Sequence, residues 1–189
     1  GVSHATNGGN LQASITYFNS TLRDEINGFF FDPNLLTFTA TNIDERSSRT
    51  GWEVQITADP SEWSTLRINY TNTNSYQEDS AGAKLREVRR PKHVLNVNWD
   101  IRLPGDTAVN LNLYHVSKQR DLFFPPPGFS EQRVMLNGYT LIDLSISRQL
   151  SKQIRVFARA ENLFGQNYTD VLGFSAPGRG LYAGIHMEI

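Results

Sequence analysis

The sequence has 189 residues, 39% of them hydrophobic and 11% aromatic, with no Cys and a formal net charge of -1. That length suits one domain or a piece of a larger one, the balanced charge lacks the electrostatic footprint a nucleic-acid partner requires, and the absence of Cys excludes a disulfide framework and thiolate metal sites. No run of about 18 apolar residues occurs, which excludes a transmembrane helix but not a transmembrane barrel, whose strands alternate lipid-facing and lumen-facing residues.

The N-terminus, Gly1-Val2-Ser3-His4, has no start Met, charged n-region or apolar h-region. An export signal is therefore expected outside this chain, which reads as a fragment. The first strand is predicted over Leu11 to Ile26, where Leu11, Ala13, Ile15 and Tyr17 alternate with Gln12, Ser14 and Thr16, the mark of a strand with two different faces. A second starts within Leu36 to Asp44 and ends with Trp52, Val54, Ile56 and Ala58 alternating with Glu53, Gln55 and Thr57, closed by a turn at Asp59-Pro60-Ser61-Glu62. A third sets Leu66, Ile68 and Tyr70 against Arg67, Asn69 and Thr71.

After Pro91, Leu95, Val97, Trp99 and Ile101 stand opposite Asn96, Asn98 and Asp100, followed by the turn signal Pro104-Gly105-Asp106. Val109, Leu111 and Leu113 form the next apolar stripe, and Ile142, Leu144 and Ile146 the one after the Pro-rich loop 125–128. The turn Leu150-Ser151-Lys152-Gln153 leads into Ile154, Val156, Ala158 and Ala160. The last strand alternates Leu181, Ala183, Ile185, Met187 and Ile189 with Tyr182, Gly184, His186 and Glu188.

These are eight strands joined as consecutive hairpins, an all-β antiparallel up-and-down arrangement. Short connections near 59–63, 103–107 and 150–153 alternate with long ones near 27–36, 77–91, 120–138 and 165–178. All short connections fall on one rim, as in an outer-membrane barrel with brief periplasmic turns and extended extracellular loops. The polar parity carries Arg, Glu, Asp and Asn in mid-strand, which suits a hydrated or plugged lumen, with Asp143 expected as an ion partner there. Tyr17, Tyr70, Trp99 and Trp63 are placed as interfacial aromatics. A soluble up-and-down barrel with an apolar core is the competing reading of the same periodicity.

In the last third stand Gly138-Tyr139-Thr140-Leu141-Ile142-Asp143-Leu144, Phe157-Ala158-Arg159-Ala160-Glu161-Asn162-Leu163-Phe164, Asn167-Tyr168 and Pro177-Gly178-Arg179. This combination resembles the C-terminal end of TonB-dependent outer-membrane receptors, of the cobalamin and siderophore type. Thr41-Asn42-Ile43-Asp44, Ser48-Arg49-Thr50-Gly51-Trp52-Glu53-Val54 and Arg89-Arg90-Pro91-Lys92-His93 are similar to earlier segments of that barrel, so the likeness covers residues 1–189. Tyr182, Gly184, Met187 and Ile189 resemble the terminal signal read by the barrel-assembly machinery, although many members end in an aromatic residue.

The resemblance implies a bacterial outer-membrane receptor that takes up a scarce nutrient, a ferric siderophore or cobalamin, with energy from TonB. Its partners would be outer-membrane lipid, its own N-terminal strands and plug, TonB through the plug, and the assembly machinery. Eight strands are roughly a third of a plugged barrel of about 22. The family segment Glu161, Asn162, Leu163, Phe164, Tyr168, Pro177, Gly178 and Arg179 is expected to shape the rim, with the Asn162 amide holding backbone groups and Gly178 and Gly180 allowing a tight bend or close approach. Candidates for ligand contact in the loops are Phe29, Phe30, Phe31, Phe123, Phe124 and Phe129.

Two other functions compete. A complete eight-stranded barrel with a structural or adhesion role predicts that the first strand pairs with the last. A barrel enzyme finds no Gly-x-Ser-x-Gly elbow, and His4, His93, His115 and His186 are scattered without metal spacing. No catalytic residue, metal site or cofactor is therefore assigned.

Overall fold

The computed structural model describes residues 1–6, 10–26, 30–32, 34, 36–43, 45–79, 81–128 and 130–188. The described residues are all-β, with no helix. In chain order the strands are β1 (Val2–Ala5), β2 (Leu11–Leu22), β3 (Glu25–Ile26), β4 (Phe30–Asp32), β5 (Thr37–Thr39), β6 (Asn42–Ile43), β7 (Ser47–Ser61) and β8 (Ser64–Glu78). There follow β9 (Lys84–Arg86), β10 (His93–Leu103), β11 (Thr107–Val116), β12 (Gln119–Phe123), β13 (Gln132–Leu136), β14 (Tyr139–Gln149), β15 (Ile154–Glu161) and β16 (Gly180–Met187).

The main sheet runs β1-β2-β7-β8-β10-β11-β14-β15-β16, every neighbour antiparallel, with β9 added to β8. The eight predicted strands are all present, preceded by the short β1. Among the described residues β1 pairs only with β2 and β16 only with β15, so the closure that a complete small barrel requires is not made. The remaining strands form hairpins within the long connections, β3 with β6, β4 with β5 and β12 with β13.

Boundaries differ from the sequence reading at the first two strands: the first, expected to run to Ile26, ends at Leu22, and Glu25–Ile26 form the separate β3 paired with β6. The long second strand starts at Ser47, because the segment before it enters the small β5 and β6 pairings instead. It also runs past the expected turn to Ser61, with a register shift between Ala58 and Ser61. Pro60 lies in that shift; its missing N–H cannot serve a regular ladder, and a bulge accommodates it. The last described strand ends at Met187, and Ile189 lies outside the described residues.

Register turns the alternation of each strand into a property of the sheet. One row runs Leu11, Ala58, Leu66, Trp99, Leu111, Leu144, Ala160, Leu181 across eight strands. The neighbouring row runs Gln12, Thr57, Arg67, Asn98, Asn112, Asp143. One face is therefore apolar and the other polar. The apolar residues are not a core: Ile15 is 44% exposed, Ile185 66% and Met187 69%.

The apolar band also crosses the rows obliquely. It spans Leu11 to Tyr17 on β2 but Ile154 to Ala160 on β15, although Ala160 belongs to the row of Leu11. The band thus drifts by about one residue per strand, or about 3.3 Å along for about 4.8 Å across, a tilt of roughly 35°. Strands of transmembrane barrels tilt by about that much. A soluble meander has no reason to level its apolar residues in an oblique plane. Tyr17 and Trp52, with ring centroids 4.8 Å apart, mark the band's edge towards the long loops. Trp99 falls within the band, where its indole donates to the Ser64 hydroxyl at 2.8 Å, and Trp63, beside the short turn, lines a hollow of the polar face.

Connections 6–10, 62–63, 104–106 and 150–153 lie on one rim, and the long connections on the other.

Candidate functional site

The long-loop rim is held by buried side chains that bridge segments far apart in sequence. Asp121, on β12, is fully buried. Its carboxylate accepts from the Arg89 Nε at 2.8 Å, the Leu122 N–H at 2.8 Å and the Leu172 N–H at 2.7 Å. Three connections are thereby tied at one point. Burial pushes this carboxyl up, but the two backbone donors and the Arg89 guanidinium outweigh it and hold it below the usual Asp range. Arg89 takes the left-handed conformation with φ 55° and donates its N–H to the Arg120 carbonyl at 2.7 Å.

A second knot joins β7 to the connections on either side. Arg49 reaches Glu87 at 2.9 Å and Glu25 at 2.5 Å, and the Ser75 hydroxyl donates to Glu87. Burial raises the Glu87 carboxyl, yet the Arg49 and Ser75 hydrogen bonds and the charges of Arg49 and Arg90 leave it below its ordinary value.

Asn162 builds a third. It has φ 46° and is buried. Its amide nitrogen donates to the Gln166 carbonyl at 2.9 Å, its amide oxygen accepts from the Gln166 N–H at 2.8 Å, and its own N–H donates to Asp143 at 2.9 Å. Asp143 thus caps this turn through one carboxylate oxygen, and among the described residues it takes part in no ion pair.

Between these knots lies a cleft of about 580 Å³. Its floor is Tyr114, Tyr139 and Leu141 from the polar face of β11 and β14, and its far wall is Tyr168, Asp170 and Phe174, with Arg89 at the edge. The rings are contiguous, with centroids 6.4 Å apart for Tyr114 and Tyr139 and 4.4 Å for Tyr139 and Tyr168. The Tyr139 hydroxyl donates to Asp170 at 3.1 Å, and Gln119 donates to the Asp170 carbonyl at 2.9 Å. Tyrosine faces beside a guanidinium can pack on a bulky aromatic ligand and attract a negative group on it. A second hollow of about 770 Å³ opens near the short-turn rim, where Arg67 meets Asp100 at 2.5 Å.

Phe123 and Phe124 are exposed and line no part of the cleft, Phe30 and Phe31 lie on β4, and Phe29 and Phe129 lie outside the described residues. Of the rim motif, Tyr168 and Pro177 reach the cleft. Glu161 pairs with Arg159 at 2.9 Å, the Leu163 N–H donates to the Ile142 carbonyl at 2.7 Å, and Phe164 is exposed. Arg179 lies over Gly165, whose φ of 66° requires glycine. Gly178 has open space around it and no left-handed φ, so neither a close approach nor a left-handed backbone calls for glycine there. Gly180 does lie close to a neighbour, the Tyr182 ring.

On the terminal strand, a side chain on Gly184 would stand 2.6 Å from the Phe157 ring, which covers the bare backbone. The Arg159 guanidinium lies 4.9 Å from the Tyr182 ring centroid, and Met187 is exposed on the apolar face. Sequence reasoning missed Asp121, Tyr114 and Arg89 as rim residues. Their signal is faint, a lone acid and a lone base in polar loops.

The model of the family described as TonB dependent receptor-like, beta-barrel matches residues 1–163. The chain is 29% identical, over 94% of its length, to the iron-regulated outer membrane virulence protein of Vibrio cholerae serotype O1, covering 28% of that protein. Its fold is similar to the pyoverdine receptor FpvA of Pseudomonas aeruginosa PAO1, with TM-score 0.78 and 17% identity over 99% of this chain and 28% of that one. It is similar also to the ferric-catecholate import receptor Fiu of E. coli K12, with TM-score 0.74 and 13% identity over 98% of this chain and 26% of that one. The chain thus spans a little over a quarter of the length of these relatives.

Proposed function

The chain belongs to the TonB-dependent receptor β-barrel family, residents of the bacterial outer membrane, and from that premise we propose that the whole protein takes up an iron–siderophore complex. The observation that carries this reading is the Tyr114–Tyr139–Tyr168 cleft on the polar face, opening towards the long loops beside Arg89. A ligand held there would lie inside the barrel wall and below the extracellular loops. The iron arrives within the siderophore as cargo. Loop phenylalanines, Phe30 and Phe31 on one connection and Phe123 and Phe124 on another, are further contacts in this proposal.

The relatives named above point to iron rather than cobalamin. A plug, TonB acting through it, and assembly machinery that reads Tyr182, Gly184, Met187 and Ile189 are the remaining partners of this reading.

The test is uptake of radiolabelled iron by cells lacking their other siderophore receptors and expressing the full-length protein. A set of chemically different ferric siderophores should yield at least one that is imported, with Tyr139→Ala reducing uptake about tenfold or more, on the scale of losing one aromatic contact. Import of cobalamin with no ferric siderophore accepted would overturn the proposal.

A further inference from the structure

The ion pairs of the main sheet lie on its polar face: Arg67 with Asp100, Arg159 with Glu161, and Arg49 with Glu87. The apolar face carries cations of a different kind. Just beyond its band, on the long-loop side, Arg86, His93 and His115 gather, and among the described residues none of the three takes part in an ion pair.

Register fixes where they stand. His93 continues the row Tyr17, Trp52, Asn72, and His115 continues the row Ile15, Val54, Tyr70, Leu95. Both therefore belong to the lipid-facing parity, just beyond the band's long-loop edge on their own strands. Arg86 is opposite Tyr76, on the same face, with its guanidinium 5.4 Å from that ring centroid and 3.4 Å from the Asn74 amide oxygen. Arg86 and His115 stand close enough to His93 for their charges to act on it.

The histidines are also oriented. The His93 Nδ1 lies 2.8 Å from the Tyr70 hydroxyl and 3.1 Å from the Asn72 amide nitrogen, and the His115 Nδ1 lies 2.8 Å from the Thr140 hydroxyl. A neutral ring that accepts at Nδ1 carries its proton at Nε2, leaving that N–H free to donate. Cations and donors without an acid, at the level where lipid headgroups meet water, are complementary to headgroup phosphate.

We propose that Arg86, His93 and His115 form a docking site for the phosphate groups of an outer-leaflet lipid. The site depends on the outer-membrane location and orientation of the sheet and is independent of the cargo. It would fix the height of this part of the barrel at the β8–β10–β11 wall.

The test uses the full-length receptor in detergent, with bound lipid counted by native mass spectrometry after addition of a bisphosphorylated lipid A or its dephosphorylated form. The phosphorylated lipid should be retained preferentially. Arg86→Gln should lower its retention about fivefold, equivalent to about 1 kcal/mol per cation at an anionic lipid surface, and the double variant His93→Phe with His115→Phe should lower it as well. Arg102→Gln, on the polar face, should leave retention unchanged, and heat-modifiable mobility reports folding of every variant. Equal retention of the two lipids, or variants that bind as well as the parent, would overturn the proposal. Inorganic phosphate binding as tightly as the lipid would also overturn it, as a free-anion site. Iron uptake by the same variants is measured separately, so failure of the docking site and failure of the transport reading give different results.

Discussion

Asp121 and Glu87 carry much of the order at the long-loop rim, because each is a buried acceptor for donors from separate segments. Replacing Asp121 by Ala leaves the Leu122 and Leu172 N–H groups unmet at a cost of about 1–3 kcal/mol. Limited proteolysis of the full-length receptor should then cut within 117–138 or 163–179 faster, while the strands stay protected. The pH dependence has a definite sign. Both carboxyls are held below their ordinary values, so their stabilisation is complete above the unfolded values near about pH 4 and is lost as pH falls through the lower folded values. Loop protection should therefore be flat from pH 8 to 5 and decline below pH 4; a decline already at pH 6 would mean that other groups control it. Asn162→Ala removes the side-chain hydrogen bonds to Gln166 and Pro177 and is expected to cost about 1–2 kcal/mol, read as faster amide exchange at Gln166.

At the scale of elements, strand positions were legible because alternation is local: Leu95 to Ile101 announces a two-faced strand within seven residues. The ends were less legible. Ser47 could not be identified as the start of β7, because the small hairpins before it satisfy backbone groups in a way no periodicity encodes. The cleft was the least legible. Arg89, Tyr114, Tyr139 and Asp170 come together only through register and loop closure, neither of which the sequence states. The amide of Asn162 was readable, since the apolar stripe stops there and a short polar side chain must serve free backbone groups. Gly51 shows what register adds: a Cβ there would collide with the Asn72 carbonyl and the Phe18 ring. Gly51→Ala should lower folding yield into lipid vesicles, whereas Gly82→Asn, in open space and with a φ of 79° that Asn tolerates, should leave it near the parent level.

Across the whole molecule the decisive feature is the apolar band that runs obliquely to the hydrogen-bonded rows, with aromatic residues at its long-loop edge and, among the described residues, the ion pairs of the sheet on the opposite face. A charge placed on the band should be costly according to depth. Leu111→Arg is expected to destabilise the folded barrel by about 2–4 kcal/mol, and a substitution near the girdle by about 0–1 kcal/mol. The spin-label accessibility of β10, residues 94–102 of the full-length receptor in a bilayer, tests the central claim most directly. Oxygen should reach labels at Leu95, Val97, Trp99 and Ile101, and a water-soluble nickel chelate should not, whereas labels at Asn96, Asn98 and Asp100 should be shielded from oxygen. Loss of that alternation, or its reversal, would contradict the assignment of the apolar face to lipid and with it the reading of this chain as a wall of an outer-membrane barrel.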